Sequence, residues 1–222
     1  KKLVFELGHK VHMLEKKGPL SPLLIDIDLK HNRSVSSLSV QRVYTHEHVI
    51  LIAEVYKEVI GKMFGTVPTF YVFERPHPYL KDGAVKDGFH MMCPDLIVDS
   101  DTHMFIHNEV SAICVQRNLY EDLELSHTHR PIDVIDDAVV RNNWFMYGSC
   151  KPGLKPYALK ARIEPNGTFK KCTKKEARNP ELVDFFRTNK QILQATEFIN
   201  DWNNSFTIMH FKKQCRQYYQ IS

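Results

Sequence analysis

The stretch that most constrains this chain is Leu23-Leu24-Ile25-Asp26-Ile27-Asp28-Leu29, an apolar run broken only by two aspartates one residue apart. Its aliphatic density predicts a buried strand. Side chains alternate along a strand, so Asp26 and Asp28 point the same way while Leu24, Ile25, Ile27 and Leu29 supply the apolar character. Two carboxylates on one desolvated face repel each other and lose hydration, and a cation between them relieves both costs. A hard divalent ion such as Mg2+ or Mn2+ suits such a pair because it prefers oxygen ligands. The other arrangement is a strand whose aspartates reach a solvated edge or serve as a cap, and the pair alone leaves both open.

Around this strand the chain alternates helical and extended patterns. Leu3-Val4-Phe5, with basic residues around it, predicts a strand or arm beside the core, and Gly18-Pro19 and Ser21-Pro22 punctuate the approach to the Asp26 strand. Thr45 to Met63 has a helical period ending at Gly61 and Gly65, and Val67 to Phe73 predicts a strand. Glu74 to Gly88, broken by Pro76, Pro78 and Gly83, predicts a long loop. Gly88 to Pro94 predicts a short strand with Phe89, Met91 and Cys93 on one side and His90 and Met92 on the other. A helix is predicted over Asp101 to Leu119, followed by a second apolar run with carboxylates, Pro131 to Val140. Trp144 to Lys151 predicts a strand and turn, Tyr157 to Ile163 a strand, Pro180 to Trp202 a helix, and Asn203 to Ser222 a linker helix or tail.

With 222 residues the chain suffices for one large domain or a domain with an accessory lobe. The formal net charge is only +4, but 30 basic residues are available to form a patch for a nucleic-acid backbone. Five dispersed cysteines without a Cys-x-x-Cys pair argue for a reducing compartment and against a disulfide framework or zinc ribbon. No apolar run is long enough to cross a bilayer and no signal-peptide pattern is present, so no membrane partner is expected. A first residue Lys1 in place of Met suggests a piece of a longer protein.

Three polar insertions into apolar strands stand out: Asp26 with Asp28, His90, and Asp136 with Asp137. Carboxylates that hold metal ions, with basic groups nearby, suit phosphoryl transfer, where catalysis is mostly positioning and charge neutralisation. The order Asp26-Ile27-Asp28, Gly88-Phe89-His90, Ile135-Asp136 and then a basic turn resembles the archaeo-eukaryotic primase superfamily. Lys86 to Pro94, Ile135 to Val139 and Trp144 to Pro152 narrow the resemblance to the primase domain of the poxvirus-type primase–helicases of large nucleocytoplasmic DNA viruses.

That resemblance implies an α+β domain whose mixed sheet has an RRM-like catalytic core, with a smaller N-terminal α/β lobe and the active site in the cleft between them. The catalytic domain would span residues 1–187, with its motifs in 24–152, and 188–222 would lead as a helix or linker to a superfamily III helicase part. Asp26, Asp28 and Asp136 would hold two Mg2+ or Mn2+ ions, with Asp137 the alternative third ligand. His90, Lys86 and Lys151 would contact the phosphates of an incoming nucleoside triphosphate. The implied activity is synthesis of short primers on a single-stranded DNA template at viral replication sites in the host cytoplasm. Related primase-polymerases carry an arginine six residues before the turn lysine, where this chain has Phe145, so if an arginine is needed Arg141 or Arg130 would have to supply it.

Other features read more plainly. His46-Glu47-His48 and His127-Thr128-His129 invite a zinc reading, but no thiolate pair accompanies either. Lys151, Lys155, Lys160, Arg162, Lys170, Lys171, Lys174 and Lys175 form either a backbone-tracking patch or an ordinary solvated face. Two other functions fit the carboxylates: a metal-dependent nuclease, which needs no triphosphate grip, and a non-catalytic single-stranded-DNA-binding module in which the motifs are relics.

Overall fold

The computed structural model describes residues 2–32 and 41–189. In chain order it begins with helix α1 (Lys2–Phe5), strands β1 (Leu14–Glu15) and β2 (Leu20–Asn32), and helix α2 (His46–Phe64). Strands β3 (Phe70–Glu74), β4 (Tyr79–Lys81) and β5 (Ala84–Asp99) and helix α3 (Ser100–Gln116) follow. Two 3-10 turns lead to α4 (Ala138–Arg141), β6 (Trp144–Phe145), β7 (Ala158–Ile163), β8 (Phe169–Lys171), α5 (Lys174–Ala177) and α6 (Leu182–Phe185).

The main sheet has the order β2-β5-β3-β7-β8, with β4 folded onto β5. Residues 134–136 extend it beyond β2: Asp28 N donates to Val134 O and Asp136 N to Asp26 O, each at 2.9 Å, and Ile27 faces Ile135 in an antiparallel bridge. With that edge counted, β2-α2-β3-β5-α3 and residues 134–136 form the β-α-β-β-α-β unit of an RRM-like, α+β core. The sheet expected to be mixed is antiparallel in every pairing along this order. The physical reason is the split unit itself: β2 and β3 run the same way, but β5 is inserted between them in the opposite direction.

One face of the sheet is dry. Leu23, Ile25, Ile27 and Leu29 of β2 and Phe89, Met91 and Cys93 of β5 pack under the apolar stripes of α2 and α3, including Val49, Ile52, Tyr56 and Ile60. Each such fully buried aliphatic or aromatic side chain contributes about 1.5–3 kcal/mol. Helix α2 starts where Thr45 N donates to His48 Nδ1 at 3.1 Å, and it stops at Gly65, whose φ of 66° permits the left-handed turn that closes the last carbonyls. On the opposite face Leu24, Phe73 and Met92 are covered by Val139, Val140 and Phe186. Asp26, Asp28 and His90 share that second face and are only half-buried.

The long loop expected over Glu74 to Gly88 is instead mostly strand. Asp82 and Gly83, both at positive φ (52° and 77°), make a two-residue hairpin turn between β4 and β5. Lys86 therefore sits on β5, which is 16 residues long in place of the short strand expected around His90.

The chain ahead of β2 is an arm. β1 pairs with β6, and His12 Nδ1 donates to Cys150 O at 2.6 Å, so the arm lies along the turn that carries Lys151. Its buried Glu15 accepts from Arg187 Nε at 2.8 Å, Thr188 N at 2.7 Å and Thr188 Oγ1 at 3.0 Å, tying the arm to the far end of the described chain. Burial alone would push the Glu15 carboxyl up, but the bonds from Thr188 and Arg187 outweigh it and hold it below the usual glutamate range. A lowered folded value means the contribution is complete above the ordinary glutamate pKa and is lost as pH falls through the folded one. Glu15→Ala is expected to cost about 3 kcal/mol at neutral pH, with the gap in melting temperature from wild type narrowing as pH falls below about 4. A pH-independent gap would contradict the assignment. The expected helix over Pro180 to Trp202 is described only as far as α6 and the residues after it, and the expected linker 203–222 lies outside the described residues.

Candidate active site

A cleft of about 490 Å³ opens on the half-buried face of the sheet, lined by Asp26, Asp28, Asp136, Lys86, His90 and Lys151 among others. The register brings them together. Asp26 lies opposite His90 and Asp28 opposite Gly88, and directly opposed residues of antiparallel strands project to the same side. Asp28 Oδ2 accepts from Lys86 Nζ at 2.6 Å, and His90 Nε2 lies 3.3 Å from Asp26 Oδ1. Burial alone would push the Asp26 carboxyl up, but His90, then Lys151 and Arg75, outweigh it and hold it below the usual range. Lys151 is exposed at the rim.

Asp136 enters the same cleft from the edge beside β2, and its Oδ1 accepts from Ala138 N at 2.9 Å at the start of α4. Asp137 turns away, pairing with Arg141 at 2.9 Å, and does not line the cleft. The strand beneath is pinned from behind. His103 Nε2 donates to Leu24 O at 2.7 Å, and burial pushes that imidazole down to about 4, so it stays neutral. His129 Nε2 donates to Asp28 O at 2.8 Å.

The C962R protein N-terminal AEP domain, a family of archaeo-eukaryotic primase type, matches residues 2–163. The chain belongs to this AEP family. A helicase-named protein of Invertebrate iridescent virus 6, 184R, is 26% identical over 196 residues. The alignment takes in 78% of this chain and 20% of that relative, so the chain spans about a fifth of the relative's length.

The donor chemistry of the AEP domain's cleft fits a hard divalent ion, since three carboxylates from β2 and its edge line one wall. In the arrangement described, two of them already have a partner on β5, Lys86 on Asp28 and His90 beside Asp26. Among the described residues no three His, Cys, Asp or Glu side chains stand ready as a ligand cluster. Each of the two contacts engages one carboxylate oxygen, Oδ2 of Asp28 and Oδ1 of Asp26.

Arg141 and Arg130, the two candidates for an arginine at the site, both lie outside the cleft. Arg130 pairs with Asp133 at 2.7 Å and Arg141 with Asp137, both in the open, and neither lines the cleft. The cleft arginine is Arg75, directly after β3, which sequence reasoning passed over as part of a loop. Its signal was position: Phe73 pairs with His90, so the residue that leaves β3 two places later emerges beside the motif histidine.

The paired histidines of the AEP domain act singly. His48 caps α2 and lies 3.0 Å from Asp122, His46 packs at 5.1 Å from Phe169, and His129 holds β2. Of the basic cluster, Lys151 and Lys155 line the cleft, whereas Arg162 and Lys170 both pair with Glu164 at 2.9 and 3.1 Å. Cys93, Cys114 and Cys150 are buried free thiols, and no described helix is long and apolar enough to cross a membrane.

Proposed function

We propose that this AEP domain is a DNA-dependent primase that joins nucleoside triphosphates on a single-stranded DNA template and releases pyrophosphate. The observation that carries this reading is the interleaving of acids and bases on adjacent strands. Asp26 and Asp28 on β2 face His90 and Lys86 on β5 across one cleft, with Asp136 at its edge. Carboxylates alone would suit many metal-dependent hydrolyses, but the Lys86 ammonium and the His90 imidazole beside two of them also provide for a polyanionic substrate.

Asp26, Asp28 and Asp136 would hold two Mg2+ or Mn2+ ions, which supply charge neutralisation of the triphosphate and a lowered pKa for the attacking hydroxyl. The chain's own part is to bind and orient. Lys86 and His90, released from Asp28 and Asp26, turn to the phosphates, and Lys151 meets them from the rim. Lys151→Ala is expected to weaken nucleotide binding about tenfold, read by calorimetric titration; unchanged affinity would remove Lys151 from the site.

The helicase name of the viral relative supports a fused or associated helicase as the partner in a longer protein; that this helicase is of superfamily III, and that the setting is viral DNA replication in the host cytoplasm, follow only from the family resemblance. Incubation of the protein with single-stranded DNA, Mn2+ and labelled nucleoside triphosphates tests the reaction class. New labelled oligonucleotides are expected, with the template strand intact. Shortening of the template, independent of nucleotide, would make the domain a nuclease, and bound DNA with no labelled product would make it a binding module.

A further inference from the structure

Arg75 lines the cleft, yet its guanidinium makes no hydrogen bond or ion pair to any described residue, and its Nε is buried without a partner. What holds it is aromatic. Its guanidinium carbon lies 4.3 Å from the Tyr157 ring centroid and 5.3 Å from that of Tyr79. Tyr157 in turn stacks on His90 at 3.6 Å, and His90 lies 4.5 Å from Trp144. The backbone is fixed as well. Arg75 O accepts from Arg42 Nη2 at 2.7 Å, and Arg42 pairs with Glu74 at 2.8 Å and approaches Asp87 at 3.7 Å.

Stacking leaves this arginine short. Cation–π contact with two rings offsets only part of the cost of a buried donor left unmet. Stacking engages only the faces of a guanidinium and leaves its in-plane N–H groups without an acceptor, and that planar fork matches the oxygens of a phosphate. Lys86 and His90 each face a carboxylate, so Arg75 is a cleft cation already free to meet an anion.

We propose that Arg75 binds the phosphates of the incoming nucleoside triphosphate, its guanidinium held ready by Tyr157 and Tyr79. The assignment rests on the primase reading for the identity of the nucleotide, and it adds a residue outside the motifs of that family. It makes Arg75 a contact for the phosphates and not for the base. The Tyr157 hydroxyl, pushed up by burial and by Asp26, stays protonated beside it.

The test is calorimetric titration of wild type, Arg75→Lys and Arg75→Gln with ATP, ADP and adenosine in Mg2+, with thermal melts to show that each variant is folded. Arg75→Gln is expected to lose about tenfold in ATP affinity, with no change for adenosine. Arg75→Lys keeps the charge but not the fork and should recover only part of the loss. Equal ATP affinity in wild type and Arg75→Gln would overturn the proposal, as would an equal loss for ATP and adenosine, which reports a distorted cleft. The primase reading fails separately: wild type that binds ATP but makes no polymer refutes it and leaves the Arg75 comparison intact. Wild type that binds no nucleotide refutes both.

Discussion

Asp28→Asn is expected to abolish nucleotide incorporation, by about a thousandfold or more, while the domain stays folded. The carboxylate that is lost accepts from Lys86 at 2.6 Å, so the substitution removes an attraction to Lys86 and also a repulsion from Asp26 on the same face. Both side chains reach solvent, at 33% exposure for Asp28 and 16% for Lys86, which lets Lys86 find water when its partner becomes neutral. Ion pairs of that exposure contribute about 0–1 kcal/mol, and relief of the acid–acid repulsion offsets part of that. Stability should therefore move by less than about 1 kcal/mol in either direction, measured by denaturant unfolding without metal. Retained incorporation in the folded variant would take Asp28 out of the chemistry.

Gly88→Ala is expected to be the most destabilising single-methyl change in the sheet. Gly88 has φ 132°, a conformation that L side chains rarely adopt, and it lies opposite Asp28 in the central β2–β5 pairing. A Cβ placed there would stand 1.9 Å from Ile27 O and 3.0 Å from Ile27 C. Both obstacles are backbone, so no rotamer change relieves them and β2 must move away from β5. A cost of about 3 kcal/mol or more follows, a fall of roughly 6–12 °C in Tm for a domain of this size. The comparison is Gly83→Ala at the hairpin turn, where φ is 77° but nothing lies within 4 Å, so only the backbone penalty of about 1–2 kcal/mol applies. Equal losses at the two glycines would show that the close approach to Ile27 carries no weight. Because Asp28 and His90 flank that contact, Gly88→Ala should lose activity together with stability.

These two positions also show how far the sequence could be read. Alternation alone put Asp26 and Asp28 on one face, and His90 and Met92 opposite Phe89 and Met91, because a strand's period is a local property. The pairing of Asp26 with His90 is a matter of register across more than 60 positions of chain, and the resemblance to a primase family, not periodicity, brought those residues together. Lys86 was named from that resemblance but assigned to a loop, because Pro76 and Pro78 outweighed the Asp82-Gly83 hairpin signal that starts β5. Val134 to Asp136 read as an apolar run with acids. Only the bonds to Asp26 and Asp28 reveal it as the edge strand that delivers Asp136 and directs Asp137 outward. Arg75 carried no motif at all, and its place follows from where β3 ends relative to His90.

The central claim is that the acids of β2 and the bases of β5 form a primer-synthesising site. Its most direct test is incubation of the purified protein with circular single-stranded DNA, Mn2+ or Mg2+ and labelled nucleoside triphosphates, without any primer, beside the double variant Asp26→Asn/Asp28→Asn. The account predicts new template-dependent oligonucleotides from wild type and none from the variant. The same oligonucleotides from both proteins, or none from wild type, would contradict it.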